Sequence, residues 1–176
     1  VTETQAGKSA LAQAHPMNFG AAGVDGSAAA NAVLRAADLV IGVGTRFQDF
    51  TTASWTLFAN PERKLLSINI HGYDAAKRGA QSLVCDAKIA LEKIGAALGG
   101  HRFAAPDFGL RDAWYAKTAE LTAAPAGNEL PTDAQIIGAV QRQTGKSSIV
   151  MSAAGTMPGA LHVLWRAAQG GYHMEY

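Results

Sequence analysis

No stretch limits the possible folds of this chain as sharply as Leu39–Val43, a β-branched and apolar run interrupted and followed by Gly42 and Gly44. Leu39, Val40, Ile41 and Val43 are apolar at consecutive positions, hence on both faces of a strand, which is the pattern of a parallel strand covered by helices on both sides. Gly42 and Gly44 let a backbone or a ligand approach closely, and ligands of open α/β sheets sit beyond such carboxyl ends. The run therefore predicts a central strand, and Ile41→Asp is expected to bury a lone carboxylate at a cost of several kcal/mol.

The neighbouring segments repeat the alternation. Asp25 or Ser27 can cap a helix in which Ala29, Ala32, Val33 and Ala36 recur, and Lys64–Ile70 and Gln81–Cys85 read as further strands. A short helix is expected near Asp74–Arg78. Asp86 caps a helix with Ala87, Ala90, Leu91, Ile94 and Leu98 on one stripe. Strands and helices in this order predict a Rossmann-like parallel sheet with helices on both faces. Val1–Gln5 is long enough for one short strand. Gly99-Gly100 ends the unit, and residues 101–131 read as a linker with Pro106, Pro125 and Pro131 around a helix carrying Leu110, Trp114 and Leu121. A truncated second α/β unit follows. Thr132 and Gln135 form a capping box, Ile136, Ile137 and Val140 face inward, and Ser148–Met151 is a strand. Ser152–Gly159 is a Gly-rich loop with Pro158 at a helix start, ahead of Ala160–Ala168.

Several function classes are excluded or weakened. Lys and Arg total 15 against 14 Asp and Glu, a net charge of +1, and no basic cluster is interleaved with aromatics, so nucleic acid is not an expected partner. No apolar run reaches the ~18 residues of a membrane span. One cysteine, Cys85, allows no internal disulfide and fits a reducing, cytoplasmic compartment. The five histidines lack metal-ligand spacing, and no metal site is expected. Gly7-Lys8-Ser9 and Gly145-Lys146-Ser147 resemble phosphate loops, but Thr2 and Val140 stand where the first glycine belongs. Gly42-Val43-Gly44 starts a dinucleotide fingerprint whose third glycine is Phe47. Gly44, Arg46 and Asp49 remain a candidate nucleotide crevice, with Arg46 holding a phosphate or pairing with Asp49. The loop Ala153–Pro158 presents backbone N–H groups ahead of a helix, as a diphosphate requires, although an ordinary strand-to-helix turn has the same outline.

Glu3–Ala10, His15–Asn18, Ala37–Thr52, Asn69-Ile70 and Cys85-Asp86-Ala87 together resemble the central domain of thiamine-diphosphate enzymes of the acetolactate synthase type. Residues 131–176, with Ala153–Gly159 and Gly171–Tyr176, resemble the opening of their diphosphate-binding domain. Within the family, the branch of inositol-catabolic hydrolases that open a cyclic 1,2-diketone is the most similar. The resemblance implies a central Rossmann-like domain over 1–100 that lacks its first strand, a linker over 101–131, and an incomplete second domain over 132–176. It implies an enzyme in which thiamine diphosphate is the electron sink for C–C cleavage of the diketone, with Mg²⁺ as co-ligand, followed by hydrolysis to the opened acid. Gly155, Thr156 and Met157 match the loop at the diphosphate end. The activating glutamate and the Mg²⁺ segment of the family have no counterpart here, so no catalytic residue is expected in these 176 residues.

Val1 is not an initiator methionine, and the chain reads as an excised, inactive piece of a cytoplasmic homo-oligomer. Asp25, Phe50 and Asn69 replace a histidine, an arginine and an aspartate of the flavin-carrying pattern, which argues against retained FAD. An acetolactate synthase-like carboligase and a stand-alone nucleotide-binding module are the alternative readings.

Overall fold

The structure, a computed structural model, describes residues 1–104, 107–127, 129–145, 147–153 and 155–174. Pro106 of the expected linker, Lys146 of the second Gly-Lys-Ser, Ala154 of the Gly-rich loop, and Glu175 and Tyr176 lie outside them. The chain forms two compact units, Val33–Pro106 and Val1–Ala32 with Asp107–Tyr176. By packing, residues 1–32 thus belong with the carboxyl-terminal part of the chain, whereas the resemblance groups them with 33–100.

In the 33–106 unit, β1 (Leu39–Val43), β2 (Lys64–Asn69) and β3 (Gln81–Val84) form a parallel sheet in that order, with Leu39 opposite Lys64 and Leu66 opposite Gln81, so among the described residues β2 is the central strand and β1, expected to be central, is at an edge. The α/β fold predicted by the alternation is present, with helices around the sheet. Helix α1 (Ala28–Ala36) precedes β1, and Ser27 caps it by accepting a hydrogen bond from Ala30 N at 3.0 Å. Between the strands lie the short α2 (Asp49–Thr52), a 3-10 turn at Thr56–Phe58 and α3 (Gly72–Ala75). Asp86 caps α4 (Ala87–Leu98) through Ile89 N at 3.1 Å.

One face of β1 carries the core. Val40, Phe47 and Phe58 are buried together, with Leu34, Ala37, Trp55 and Leu65 packed around them. The opposite face corrects the expectation that both are covered, because Leu39, Ile41 and Val43 are each more than 40% exposed. Side chains alternate along a strand, so every residue of β1 opposite the Phe47 cluster points the other way. The stripe of α4 is likewise uncovered: Ala90 is buried, while Leu91 and Leu98 are exposed. Ile41→Asp accordingly places its carboxylate in contact with water, and the several-kcal/mol cost expected of it does not apply.

The other unit is built on α5 (Phe108–Leu121), α6 (Asp133–Gln143), β4 (Val150–Ser152), α7 (Thr156–Leu164) and β5 (Tyr172–Met174), with β4 and β5 parallel. Its core joins Ile137, Leu161, Leu164, Trp165, Ala167 and Tyr172. The capping box of Thr132 and Gln135 is present at 2.9 and 3.3 Å. Of the expected inward residues of α6 only Ile137 is buried, Ile136 and Val140 being exposed. Leu110 and Leu121 are also exposed, because α5 packs through Arg111, Tyr115 and Thr118, spaced four and three apart on one face. Val1–Gln5 forms no regular strand. It makes an isolated parallel bridge between Glu3 and Ala21, held by Glu3 N to Gly20 O and Ala22 N to Glu3 O at 2.9 and 2.8 Å.

Candidate functional site

At the carboxyl edge of the three-stranded sheet, Gly44 adopts φ +66° and donates its N–H to Ile68 O at 2.8 Å. A side chain at Gly42 would run into the Phe47 ring, with a Cβ placed 2.6 Å from Cε2, so this glycine admits a neighbouring side chain of the same unit. Nothing lies within 4 Å of the Cβ position at Gly44. Arg46 and Asp49 are both exposed, and among the described residues no ion pair joins them. The polar group that organises the edge is Asn69, missed as a structural element by sequence reasoning. Its Nδ2 donates to Thr45 O at 3.3 Å and its Oδ1 accepts from His71 N at 2.9 Å, tying the ends of β1 and β2 together. Asp74 accepts from Lys77 Nζ at 2.6 Å and faces His71 at 3.5 Å. The Lys77 hydrogen bond, then the charges of Lys77, His71 and Arg46, hold the Asp74 carboxyl below its ordinary pKa.

In the other unit, the turn expected to receive a diphosphate is a helix start. Gly155 has φ +137°, a conformation that favours glycine, and α7 begins at the next residue, earlier than Pro158 suggested. Pro158 fits the first turn because backbone N–H groups there have no intrahelical acceptor. Gly155 has no side chain to cap α7, and among the described residues no side chain accepts from the N–H groups of its first turn, the arrangement an anion can use. Gly155 and Thr156 are exposed and Met157 packs its side chain against the core. The carboxylate of Asp25 reaches the same helix turn, 3.2 Å from the Cβ position of Gly159, and adds negative charge beside it. The two sets of candidate residues, Gly44, Arg46 and Asp49 on one hand and Gly155, Thr156 and Met157 on the other, lie in different units.

Behind α7 lies a buried polar group with no periodic signature in the sequence. Glu3, Lys8, Ser9, Gln13, Asn18 and His162 are each at most 6% exposed. Glu3 Oε1 accepts Ser9 N at 3.0 Å, Ser9 Oγ accepts Tyr172 N at 3.2 Å, and Lys8 Nζ lies 5.7 Å from the centre of the Tyr172 ring. The first Gly-Lys-Ser is therefore a packed joint between the amino-terminal segment and β5. Burial lowers the Lys8 pKa to about 8 against the pull of Glu3, and raises that of Glu3. Burial, assisted by the charge of Lys8, lowers the pKa of His162 to about 4, and among the described residues its Nε2 has no hydrogen-bond partner. Four residues separate Glu3 from Lys8 without a helix or strand between them, so spacing could not reveal the pair. Among the described residues no three His, Cys, Asp or Glu side chains are grouped to hold a metal, and no helix is long and apolar enough to cross a membrane.

A parallel sheet with a glycine at its carboxyl edge, and a second parallel pair leading through Gly155 into a helix, define a Rossmann-like α/β protein. Residues 1–94 match the family model described as thiamine pyrophosphate enzyme, central domain, and the chain belongs to that family. Proteins named 3D-(3,5/4)-trihydroxycyclohexane-1,2-dione hydrolase are similar over essentially the whole chain. The one from Clostridium perfringens (strain 13 / Type A) is 34% identical over 203 aligned residues, covering 100% of this chain and 32% of the relative. That from Geobacillus thermodenitrificans (strain NG80-2) is 37% identical over 202, covering 99% and 31%. That from Bacillus anthracis (strain CDC 684 / NRRL 3495) is 36% identical over 203, with the same coverage. The chain spans about a third of the length of these relatives.

Proposed function

We propose that this chain is part of a thiamine-diphosphate-dependent hydrolase that cleaves a C–C bond of a cyclic 1,2-diketone in inositol catabolism. The observation that carries the reading is the similarity, at 34–37% identity and over 99–100% of the chain, to proteins named for that reaction. The start of α7 suits the cofactor: a positive-φ glycine followed by uncapped backbone N–H groups fits an anionic diphosphate. Gly155, Thr156 and Met157 would hold that end. When bound, thiamine diphosphate supplies the electron sink for C–C cleavage. The chain's own part is to donate backbone N–H groups to the diphosphate and to fix the helix that carries them, through Leu161 and Leu164 in the core.

The 33–106 unit acts as a scaffold without flavin. Asn69 is already committed to Thr45 and His71, and the exposed Phe50 offers no polar contact. The whole protein works as a cytoplasmic homo-oligomer on a small diketone, and the 176 residues alone have no turnover.

The test is product analysis with the protein that contains this chain. Supplied with thiamine diphosphate and Mg²⁺, it should convert trihydroxycyclohexane-1,2-dione into an open-chain acid visible by NMR. Formation of acetolactate from pyruvate, with the dione untouched, would replace this reading by a carboligase. Calorimetric titration of the 176-residue chain with FAD, ADP and NAD addresses the scaffold role: no binding is expected, and tight binding of an adenine nucleotide would favour a nucleotide-binding module around Gly44, Arg46 and Asp49.

A further inference from the structure

The loop of residues 4–10 is anchored at both ends. On its amino side the Glu3 main chain bonds to Gly20 O at 2.9 Å and to Ala22 N at 2.8 Å. On its carboxyl side Leu11 O and Ala12 O accept from Asn18 Nδ2 at 3.2 and 3.4 Å, and Gln13 N donates to Ala167 O at 3.0 Å. Between these anchors the loop is drawn inward at Ser9. Its N donates to Glu3 Oε1 at 3.0 Å, its O accepts from Gly170 N at 2.9 Å, and its Oγ accepts from Tyr172 N at 3.2 Å. Ser9 holds φ +73°, a left-handed conformation unfavourable to a residue with a Cβ, so the loop's own preference works against this closed form. Closure carries Lys8 into the interior, where it is 3% exposed. Among the described residues its ammonium has one long hydrogen bond, to Gln13 Oε1 at 3.5 Å, and no ion pair.

His162, in the last turn of α7 and as deeply buried, faces the same loop. The backbone of Glu3 and Thr4 lies against its ring, the charge of Lys8 bears on it, and among the described residues its Nε2 is unpartnered. Asp25 approaches α7 three residues earlier, at Gly159, and Glu3 faces Lys8, the Val1 amino group and Tyr115. A proton taken up at Nε2 creates a second buried cation beside Lys8, and its new N–H has no acceptor. Outward movement of the loop relieves both faults by placing Lys8 in water. It breaks the bonds at Ser9, the long one from Lys8 to Gln13 and another from Gln169 Nε2 to Ala10 O at 3.5 Å. We propose that residues 4–10 are a strap released by acid: protonation of His162 expels Lys8, and the strap lifts from α7 and β5 while its two anchors hold. The device is independent of the reaction proposed above. Its range lies between pH 7 and 4, because His162 is lowered to about 4 when the strap is closed and returns towards its ordinary value when it opens. Glu3, whose pKa burial raises, holds its proton more readily in the closed form and lessens the response.

The test is hydrogen exchange followed by mass spectrometry on the protein containing this chain, from pH 7 to pH 5, corrected for the intrinsic pH dependence of amide exchange. Peptides holding Ser9, Gly170 and Tyr172 report the strap, and peptides from β1 and β2 are the reference. Exchange at the strap should rise at least about fivefold between pH 7 and pH 5, while the reference changes by less than about twofold. His162→Gln removes the group that takes the proton, and Lys8→Met removes the charge it repels. Each should cut the rise at the strap to less than about twofold. No rise in the unaltered protein, an equal rise at β1 and β2, or a full rise retained in either variant would each overturn the assignment. Should a variant fail to fold, the comparison of strap with sheet in the unaltered protein still decides it.

Discussion

The sheet of the 33–106 unit and the buried polar group behind α7 are stabilised by opposite means. Around Val40, Phe47 and Phe58 the stabilisation is apolar contact along one face of a strand, including a Phe47–Phe58 edge-to-face pair at 6.2 Å. Around Glu3, Lys8 and His162 it is a set of hydrogen bonds and charges drawn from segments more than a hundred residues apart in sequence. An apolar face tolerates changes of pH and is damaged by charge. A buried polar group responds to pH and is damaged by loss of a partner. The difference teaches that one short chain can carry two kinds of core.

The largest expected effect comes from placing a charge in the apolar core. Ile68 is fully buried on β2, and Ile68→Asp should cost about 4 kcal/mol, measured as a fall in the denaturant midpoint. The matched control is Ile41→Asp on the exposed face of β1, which should cost less than about 1 kcal/mol. Similar losses for the two would mean that β1 is covered on both faces after all, as its unbroken apolar sequence suggests.

The polar group should show itself in acid. His162 is neutral in the folded chain down to about pH 4, whereas the unfolded chain takes up the same proton near its ordinary pKa. Below that ordinary value the unfolded state therefore binds more protons, so stability falls as pH drops from about 7 to 4, by up to about 3 kcal/mol. Glu3, whose pKa is raised, opposes this at the acid end by binding its proton more readily when folded. Lys8, lowered to about 8, adds stability as pH rises from 8 towards its ordinary value, since there too the unfolded state holds the extra proton. Denaturation series across pH 4 to 7 should show the acid slope, and His162→Gln should flatten it. A slope unaffected by that change would remove His162 from the account.

A smaller effect sharpens the role of Gly42. Gly42→Ala drives a methyl group into the Phe47 ring and should cost about 2 kcal/mol, read as a lower melting temperature. Pairing it with Phe47→Leu should recover part of the loss, because the shorter side chain vacates the space.

These contrasts also explain what could be read in advance. The strands at 39–43 and 64–69, the Asp86 cap and the Thr132–Gln135 capping box follow from local spacing, and local spacing decides them in the folded chain. Burial on one side only was not legible, because consecutive apolar residues look alike whether one face or two is covered. The exposed leucines of α5 misled for a related reason: that helix is anchored by Arg111 and Tyr115 on main-chain oxygens of residues 13–18, contacts that depend on tertiary structure alone. Gly155 was legible as a turn. The helix starting directly after it was hidden by Pro158, which marks a helix's first turn without fixing its first residue.

The role assigned to that turn is open to one direct measurement: the affinity of the protein containing this chain for thiamine diphosphate with Mg²⁺, before and after Thr156→Asp. A carboxylate at the first position of α7 suits the helix and should leave the melting temperature unchanged or slightly higher, while repelling a diphosphate. The account predicts a Kd at least tenfold weaker with folding intact. An unchanged Kd in a folded variant would contradict it and place the cofactor's diphosphate elsewhere.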